Sequence, residues 1–155
     1  MGSMYGIDYP DFQEETVKKL REMLPSYASI NNPLDMTATL CYDSDLYAGA
    51  LRTVMADENI DMILIGLTIQ LEVSDPSMYI MYEGIKKVVD EGNSKPIAIL
   101  PFVEGTRNFD LSEKFAEIGV PILPSPKYAF SALANLANFI SYNPDEKVLN
   151  IFKNG

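Results

Sequence analysis

The sequence predicts one α/β domain of the flavodoxin-like type, a three-layer sandwich with a doubly wound, mostly parallel sheet and helices on both faces. Short apolar segments alternate with segments of helical periodicity, which is the pattern of βαβ units. Residues 61–66 are the clearest strand because they are apolar on both faces, as in a strand buried within a parallel sheet. The 155 residues suffice for one domain with a core and are too few for two domains of ordinary size.

The N-terminal part of the chain predicts two helices with a strand between them. Asp11, followed three residues later by a glutamate, has the spacing of a capping box for a helix that Pro25 ends. Residues 27–36 then form the first predicted strand. Asp43 or Ser44 caps the second helix, whose apolar residues follow the i, i+3, i+4, i+7 spacing of a helix with one buried face.

Two further units of strand and helix continue the alternation. Residues 61–66 form the second strand, and the helix after them begins with Pro76 at its first position and ends at Gly92. Residues 97–100 form the third strand. Asp110, again followed three residues later by a glutamate, predicts a capping box for the next helix.

The C-terminal part predicts a short edge strand and a last helix. Residues 120–123 contain a proline and come late in the order, which favours an edge position. The last helix starts at Ser125. Its predicted inward face comprises Ala129, Phe130, Leu133, Ala137 and Ile140. Right-handed crossovers place helices on both faces of the sheet, and the most economical strand order is 2-1-3-4, with room for a fifth strand in the tail.

Composition and charge exclude several classes of protein. The net charge of −10 argues against nucleic-acid binding, because affinity for a phosphate backbone comes from clustered basic residues and those of this chain are scattered. No apolar segment reaches the roughly 18 residues needed to cross a membrane. The single cysteine, Cys41, excludes an internal disulfide and favours a reducing, cytoplasmic environment. Residues 1–3 look like an expression remnant, so the predicted domain comprises residues 4–155.

The absence of histidine narrows the chemistry further. Without histidine the chain can form no histidine triad, no histidine metal ligand and no phosphohistidine, and a single cysteine excludes a cysteine-rich zinc site. The sequence contains neither the dinucleotide-binding pattern G-x-G-x-x-G nor the P-loop pattern G-x-x-x-x-G-K-S/T. We therefore predict no catalytic residue and no metal site within this chain.

A ligand site is expected where the strand order of the sheet reverses. In open α/β sheets, ligands bind there at the carboxyl ends of the strands, and the reversal falls between the first and third predicted strands. The loops at that place are rich in hydroxyl and amide groups, and helix N-termini pointing at them favour anions. The candidate residues in these loops are Asp35, Thr37, Thr39, Thr68, Gln70, Glu104, Thr106 and Arg107. Asp35 is equally well explained as a turn residue and Thr37 as an exposed loop hydroxyl.

Three segments of the sequence, taken together, resemble a known family. Residues 24–37, LPSYASINNPLDMT, are similar to the pattern LP-x-F/Y-A-S-x-x-NP-L/V-D-x-T. Residues 57–65, DENIDMILI, resemble D-x-x-V/I-D-x-I/V-L-V/I, and residues 119–129, GVPILPSPKYA, resemble G-I/V-P-x-Y/F-x-S/T-P-x-x-A. These patterns are those of the NDP-forming acyl-CoA synthetases, the ADP-forming acetyl-CoA synthetase relatives of succinyl-CoA synthetase. The resemblance covers nearly the whole chain.

The resemblance implies a domain of an acid–thiol ligase. These synthetases convert acyl-CoA, NDP and phosphate to acid, CoA and NTP through a phosphohistidine, so a parent enzyme would use CoA, ADP or ATP, and Mg. The family is modular, with a CoA-binding domain, a histidine-bearing flavodoxin-like domain, a second flavodoxin-like domain and an ATP-grasp module. This chain resembles the second flavodoxin-like domain of the α part. The other modules are its implied partners, and alone the chain is expected to hold no cofactor and to be inactive.

The family's motifs also indicate positions of the site. The Asn-Pro-Leu-Asp motif maps to Asn32 through Asp35, and the loop that faces the phosphohistidine in the relatives begins at Gly66. The relatives carry a glycine pair there, whereas this chain has Leu67 after its one glycine. Glu104 and Gly105 resemble the Glu-Gly that follows the third strand of the relatives. The implied anion-facing set is Asn32, Asp35, Thr37, Gly66, Thr68, Gln70, Glu104, Gly105 and Thr106.

The sequence leaves two other functions open. One is a ligand-sensing regulatory module of a synthetase-like protein fused to an acetyltransferase. The other is a stand-alone flavodoxin-like protein that binds a flavin or another small anion. The residues also leave open the acyl group, the nucleotide base and whether the chain forms a homo-oligomer.

Overall fold

The computed structural model describes residues 2–68, 76–92, 95–102 and 108–142. These residues form five α-helices, a two-stranded parallel sheet and two short 3-10 helices. The helices are α1 (Glu14–Met23), α2 (Ser44–Met55), α3 (Pro76–Asp90), α4 (Phe109–Glu117) and α5 (Pro126–Ile140), the strands are β1 (Ile63–Leu67) and β2 (Ile97–Pro101), and the 3-10 helices are Gly2–Tyr5 and Ala38–Tyr42.

The sheet is built from the second and third predicted strands, which are confirmed. β1 and β2 pair in parallel, with Ile63 opposite Ile97 and Leu67 opposite Pro101. Every residue of β2 is buried, as a central strand requires. The predicted edge strand, residues 120–123, is reduced to a single parallel bridge between Ile122 and Ile99, on the side of β2 away from β1.

The first predicted strand and the strand order 2-1-3-4 are corrected by the structure. Residues 27–36 form no strand, and β1 pairs directly with β2 with nothing between them. Instead the segment turns back on itself, because the amide of Asp35 donates to the carbonyl of Ser29 at 3.2 Å in an antiparallel bridge. The physical reason is the turn chemistry of Asn31, Asn32 and Pro33, which favours reversal of the chain over extension.

Helices cover both faces of the sheet, as predicted. The main core lies on one face, where α1 to α4 contribute buried residues such as Leu20, Tyr47 and Ile85. The other face carries a smaller cluster formed by Leu100 with Ala129 and Phe130 of α5. The first 3-10 helix completes this second layer, since the ring of Tyr5 stacks on Phe130 with centroids 6.4 Å apart.

Helices α2 and α3 run in the same direction and in close contact. A side chain at Gly84 would lie 3.0 Å from the carbonyl oxygen of Ser44 and 2.9 Å from the ring of Tyr47, so only glycine allows this approach. At the far end, the guanidinium of Arg52 forms a bidentate pair with Glu91 at 2.6 and 2.7 Å. Helix α3 starts after the carboxyl end of β1, so α2 also runs from the carboxyl side of the sheet toward the amino side.

The capping box predicted for α1 is not formed. Asp11 lies before the first turn, and the cap position is Gln13, whose side chain makes no capping bond. Its backbone amide donates to Asp57 Oδ2 at 2.8 Å. Asp57 belongs to the loop between α2 and β1, so α1 is capped by a residue that is distant in sequence and close only in the folded chain.

The caps of α2 and α4 are set by residues immediately before each helix, whereas Ser125 before α5 makes no side-chain capping bond. Asp43, one of the two predicted caps, caps α2, because its carboxylate accepts from the amides of Asp45 and Leu46. The capping box at Asp110 is wrong: the cap of α4 is Asn108, which accepts from the Leu111 amide at 3.1 Å. Asp110 lies within the first turn of α4 instead.

The inward face predicted for α5 is buried only in the first half of the helix. Ala129 and Phe130 are buried and Leu133 is half-buried, whereas Ala137 and Ile140 are exposed.

Within the described residues, no helix has both the length and the apolar character that crossing a membrane demands.

Candidate functional site

The carboxyl edge of the sheet brings the ends of both strands together. The pairing of Leu67 with Pro101 places Thr68 and Phe102, the next residues, side by side at this edge, and the Phe102 amide donates to the Leu67 carbonyl at 3.2 Å. The parallel bridge at Ile122 directs the chain toward the same edge. This is the edge at which open α/β sheets bind their ligands. The predicted reversal of strand order between the first and third predicted strands is not formed, because residues 27–36 form no strand.

Helices α3, α4 and α5 each follow a strand segment and therefore begin at this edge. Their N-termini carry the positive ends of the helix dipoles, which favour anions. The first turns of α3 and α4 are joined, because the hydroxyl of Tyr79 donates to Asp110 Oδ2 at 3.1 Å. The carboxylate of Asp110 already balances part of the positive end of α4, whereas the first turn of α5 contains no acidic residue.

An exposed aromatic ring lies over the glycine of β1, and sequence reasoning did not identify it. A Cβ on Gly66 would be 2.1 Å from Cζ of Phe102, so the ring rests directly on the strand backbone. Phe102 is nevertheless 63% exposed. The signal in the sequence is a glycine inside an otherwise apolar strand, which often marks close approach by another group. Gly66 thus has a packing role in addition to its predicted place near an anion.

Gly66→Ala is expected to lower the free energy of unfolding by about 1 kcal/mol, because the new methyl group displaces the Phe102 ring. In a Phe102→Ala background the same change is expected to be neutral or to stabilise by about 0.5 kcal/mol, since alanine restricts the unfolded chain. Urea denaturation of the four proteins of this double-mutant cycle measures the coupling. Equal effects of Gly66→Ala in both backgrounds would contradict the packing role.

The motif that begins at Asn32 forms a turn held by its own side chains. Asn32 Nδ2 donates to the carbonyl of Pro10 at 3.0 Å, and Asp35 Oδ1 accepts from the amide of Thr37 at 2.9 Å. Thr37 has a positive φ of 62°, which this Asx-type turn accommodates. These contacts support the interpretation of Asp35 as a turn residue, and an anion-facing role for Asp35 and Thr37 remains a prediction.

The structure does not bring Asn32 together with Thr68. The neighbour of Pro10 is Asp11, whose carbonyl accepts from Asn59 in the loop that leads to the amino end of β1. Asn32 therefore lies toward the amino side of the sheet. The 3-10 helix Ala38–Tyr42 packs against α3 and α2, and it leads the chain from this turn back toward the carboxyl side.

The remaining predicted positions are only partly described. Gly66 and the half-buried Thr68 lie at the carboxyl edge. The predicted positions outside the described residues are Gln70, Glu104, Gly105, Thr106 and Arg107, and the side chains of Thr39 and Cys41 are likewise not described. Within the described ranges there is no group of three or more side chains suited to hold a metal ion.

Two charged pairs stabilise helices on the far side of the main core, and do not lie at the carboxyl edge. A hydrogen bond from Lys87 lowers the pKa of Asp45, and one from Arg52 lowers the pKa of Glu91. One pair joins α2 to α3 and the other joins α2 to the residue directly after α3, both at the surface. Shifted pKa values mark candidate acids and bases when they occur in a cleft; these pairs lie outside one, so they are structural.

Comparison with curated proteins identifies relatives along most of the chain. Trans-feruloyl-CoA synthase FCS1, from an unknown prokaryotic organism, is 30% identical over 136 residues, which are 86% of this chain and 19% of that protein. The α subunit of acetate–CoA ligase (ADP-forming) II from Pyrococcus furiosus is 30% identical over 123 residues, 79% of this chain and 26% of that subunit. The chain therefore spans about a fifth to a quarter of the length of these relatives. No family model matches the chain.

A solved structure shares the fold. The dinucleotide-forming acetyl-coenzyme A synthetase 1 of Ca. Korarchaeum cryptofilum, in complex with phosphate and ADP, superposes with a TM-score of 0.67 at 22% identity. The superposition covers 89% of this chain and 29% of that one. This likeness confirms the α/β, flavodoxin-like fold, and the curated relatives confirm the resemblance to NDP-forming acyl-CoA synthetases.

Proposed function

Because this chain is homologous to one segment of the NDP-forming acyl-CoA synthetases, we propose that it serves as a domain of such an enzyme. In this proposal the parent enzyme converts acyl-CoA, ADP and phosphate to acid, CoA and ATP through a phosphohistidine on another domain. The observation that carries the proposal is similarity over most of the chain to an ADP-forming acetate–CoA ligase subunit. The sensing and stand-alone alternatives are not favoured, since these relatives are a ligase and a synthase.

The carboxyl edge is the part of the domain suited to the reaction. Helices α3 and α5 both start at this edge, on opposite faces of the sheet, and their N-termini favour a negatively charged group, so the edge can receive a phosphoryl group held by another domain. Gly66 and Thr68 lie at this edge, and Phe102 adds an apolar surface beside them. The contribution of this chain is to position and stabilise the phosphoryl group, because the chain contains no histidine to carry it.

The cofactors of the reaction would be held mainly by the other domains. The described residues contain no cluster suited to Mg, and the sequence has no P-loop or dinucleotide-binding pattern. Mg, ADP and CoA would supply charge neutralisation, the phosphoryl acceptor and the thiol when bound elsewhere in the parent enzyme. The proposed partners are accordingly a CoA-binding domain, a histidine-bearing domain and an ATP-grasp module.

The chain alone is expected to form no ATP from acetyl-CoA, ADP, phosphate and Mg. At every time point, the amount of ATP should equal that of a reaction without protein. A luciferase assay measures the ATP. The full-length synthetase from the same reading frame is the positive control, and the same synthetase lacking residues 5–142 is expected to be inactive. ATP formation by the isolated chain would contradict the domain proposal, as would full activity of the deletion variant.

A further inference from the structure

The end of α5 is an unusually apolar exposed surface. Every residue from Asn135 to Tyr142 is exposed, a stretch that we call the α5 tip. Within it, Leu136 is 52%, Phe139 is 76% and Ile140 is 75% exposed. These three residues follow the i, i+3, i+4 spacing, so they form one apolar stripe on the helix.

The tip projects because the helix is longer than the sheet it covers. The 15 residues of α5 extend roughly 22 Å at 1.5 Å per residue, whereas the five residues of β2 extend about 16 Å. Burial is confined to the first part of the helix, where Ala129, Phe130 and Ala134 face the small cluster. Since α5 starts at the carboxyl edge, its tip lies at the amino side of the sheet, opposite the proposed phosphoryl site.

The charge pattern also distinguishes the tip. The chain carries a net charge of −10, yet residues 128–142 contain no charged residue. Loss of charge together with exposed aromatic and aliphatic side chains is the composition of the centre of a protein interface. A solvated helix face would instead carry the acidic residues that are frequent elsewhere in this chain.

We infer that the α5 tip docks into an apolar groove on another domain of the parent synthetase, an inference that rests on the proposed function. The relatives place most of their polypeptide outside this segment, since the chain covers 19% of one and 26% of another. A helix inserts its i, i+3, i+4 side chains into such a groove, here Leu136, Phe139 and Ile140. Docking at the amino side holds the domain in place and leaves the carboxyl edge open.

Cysteine labelling tests the inference. In a Cys41→Ser background, Phe139→Cys reports on the tip, and Lys19→Cys, exposed on α1 in the opposite layer, is the matched control. In the isolated chain both cysteines are expected to react with a maleimide at similar rates. In the full-length synthetase, the cysteine at position 139 is expected to react about tenfold or more slowly, while the one at position 19 is unchanged.

Two results would overturn the inference. Equal labelling at position 139 in the isolated chain and in the full-length protein means that no domain covers the tip. Slow labelling in the isolated chain that becomes fast on dilution means that a second copy of the chain is the occupant. ATP formation by the full-length protein is measured separately: protection at position 139 without ATP formation supports docking and rejects the proposed reaction.

Discussion

Phe115→Ala is expected to lower the free energy of unfolding by about 3–5 kcal/mol, the cost of removing a large ring from a closed core. Phe115 is fully buried. Its ring meets that of Tyr82 edge to face, with centroids 5.3 Å apart and an interplanar angle of 83°. The alanine variant loses both the burial of the ring and this aromatic pair, which contributes about 0.5–1.5 kcal/mol beyond area alone.

The expected loss is a large fraction of the total free energy of unfolding. Domains of this kind are stable by about 5–15 kcal/mol, so the Phe115 variant would retain a small margin. Urea denaturation followed by circular dichroism measures the loss. Phe109→Ala is the matched control, because Phe109 belongs to the same helix and is 69% exposed; its effect is expected to stay within about 0.5 kcal/mol. Similar losses in the two variants would show that α4 does not depend on its buried face.

Phe115 also joins α4 to α3, two helices that start at the carboxyl edge. It lies on α4, whose first turn is held to α3 by the bond between Tyr79 and Asp110. Tyr82 and Phe115 form another contact between the same two helices. Loss of the ring would therefore weaken the packing of α4 against α3 as well as the core.

Elements with a regular apolar period were predictable from the sequence, because their pattern is local. β1, β2, α2 and α3 fall where the apolar residues indicated, within a few residues at each end. The strand predicted for residues 27–36 is not formed. Asparagines and a proline interrupt the apolar run there, and their side chains hold a turn. Local hydrogen bonds determine the conformation of that segment, and the spacing of apolar residues does not predict such bonds.

The carboxyl edge of the sheet was predictable as a location, whereas the contacts at that edge were not, and a ligand site there remains a prediction. The carboxyl edge follows from the alternation of strands and helices alone. The packing of Gly66 depends on Phe102, which lies 36 positions later, so no local pattern contains it. In the same way, the helical period of α5 indicates an apolar face, but only the fold shows that its end extends beyond the sheet.

Asp57 is the clearest case of a contact that only the folded chain creates. Its carboxylate accepts from the amides of Gln13 at 2.8 Å and Asn59 at 2.9 Å, and also from the hydroxyl of Thr16. The side chain is fully buried. Burial alone would raise the pKa of Asp57, but these hydrogen bonds and the charge of Lys95 outweigh it and hold the pKa below its ordinary value.

Asp57→Ala is therefore expected to lower the free energy of unfolding by about 3 kcal/mol, because buried donors lose their acceptor and α1 loses its cap. Asp57→Asn keeps one acceptor oxygen and is expected to lose less. Asp61→Asn, at an exposed position in the same loop, is the matched control and is expected to change stability by less than about 0.5 kcal/mol. Urea denaturation at pH 7 gives the three values.

The pH dependence separates the charge of Asp57 from its shape. A carboxylate whose pKa is lowered by folding stabilises the protein fully above its unfolded pKa, near the ordinary value of 3.8. That contribution decreases as the pH falls below this value toward the folded pKa, where the native carboxylate takes up its proton. The stability difference between the natural chain and Asp57→Asn should therefore be constant from pH 7 to about pH 5 and narrow below about pH 4. A difference that stays constant down to pH 3 would mean that the hydrogen bonds at α1 do not require the charged form, and that Asp57 acts through its shape alone.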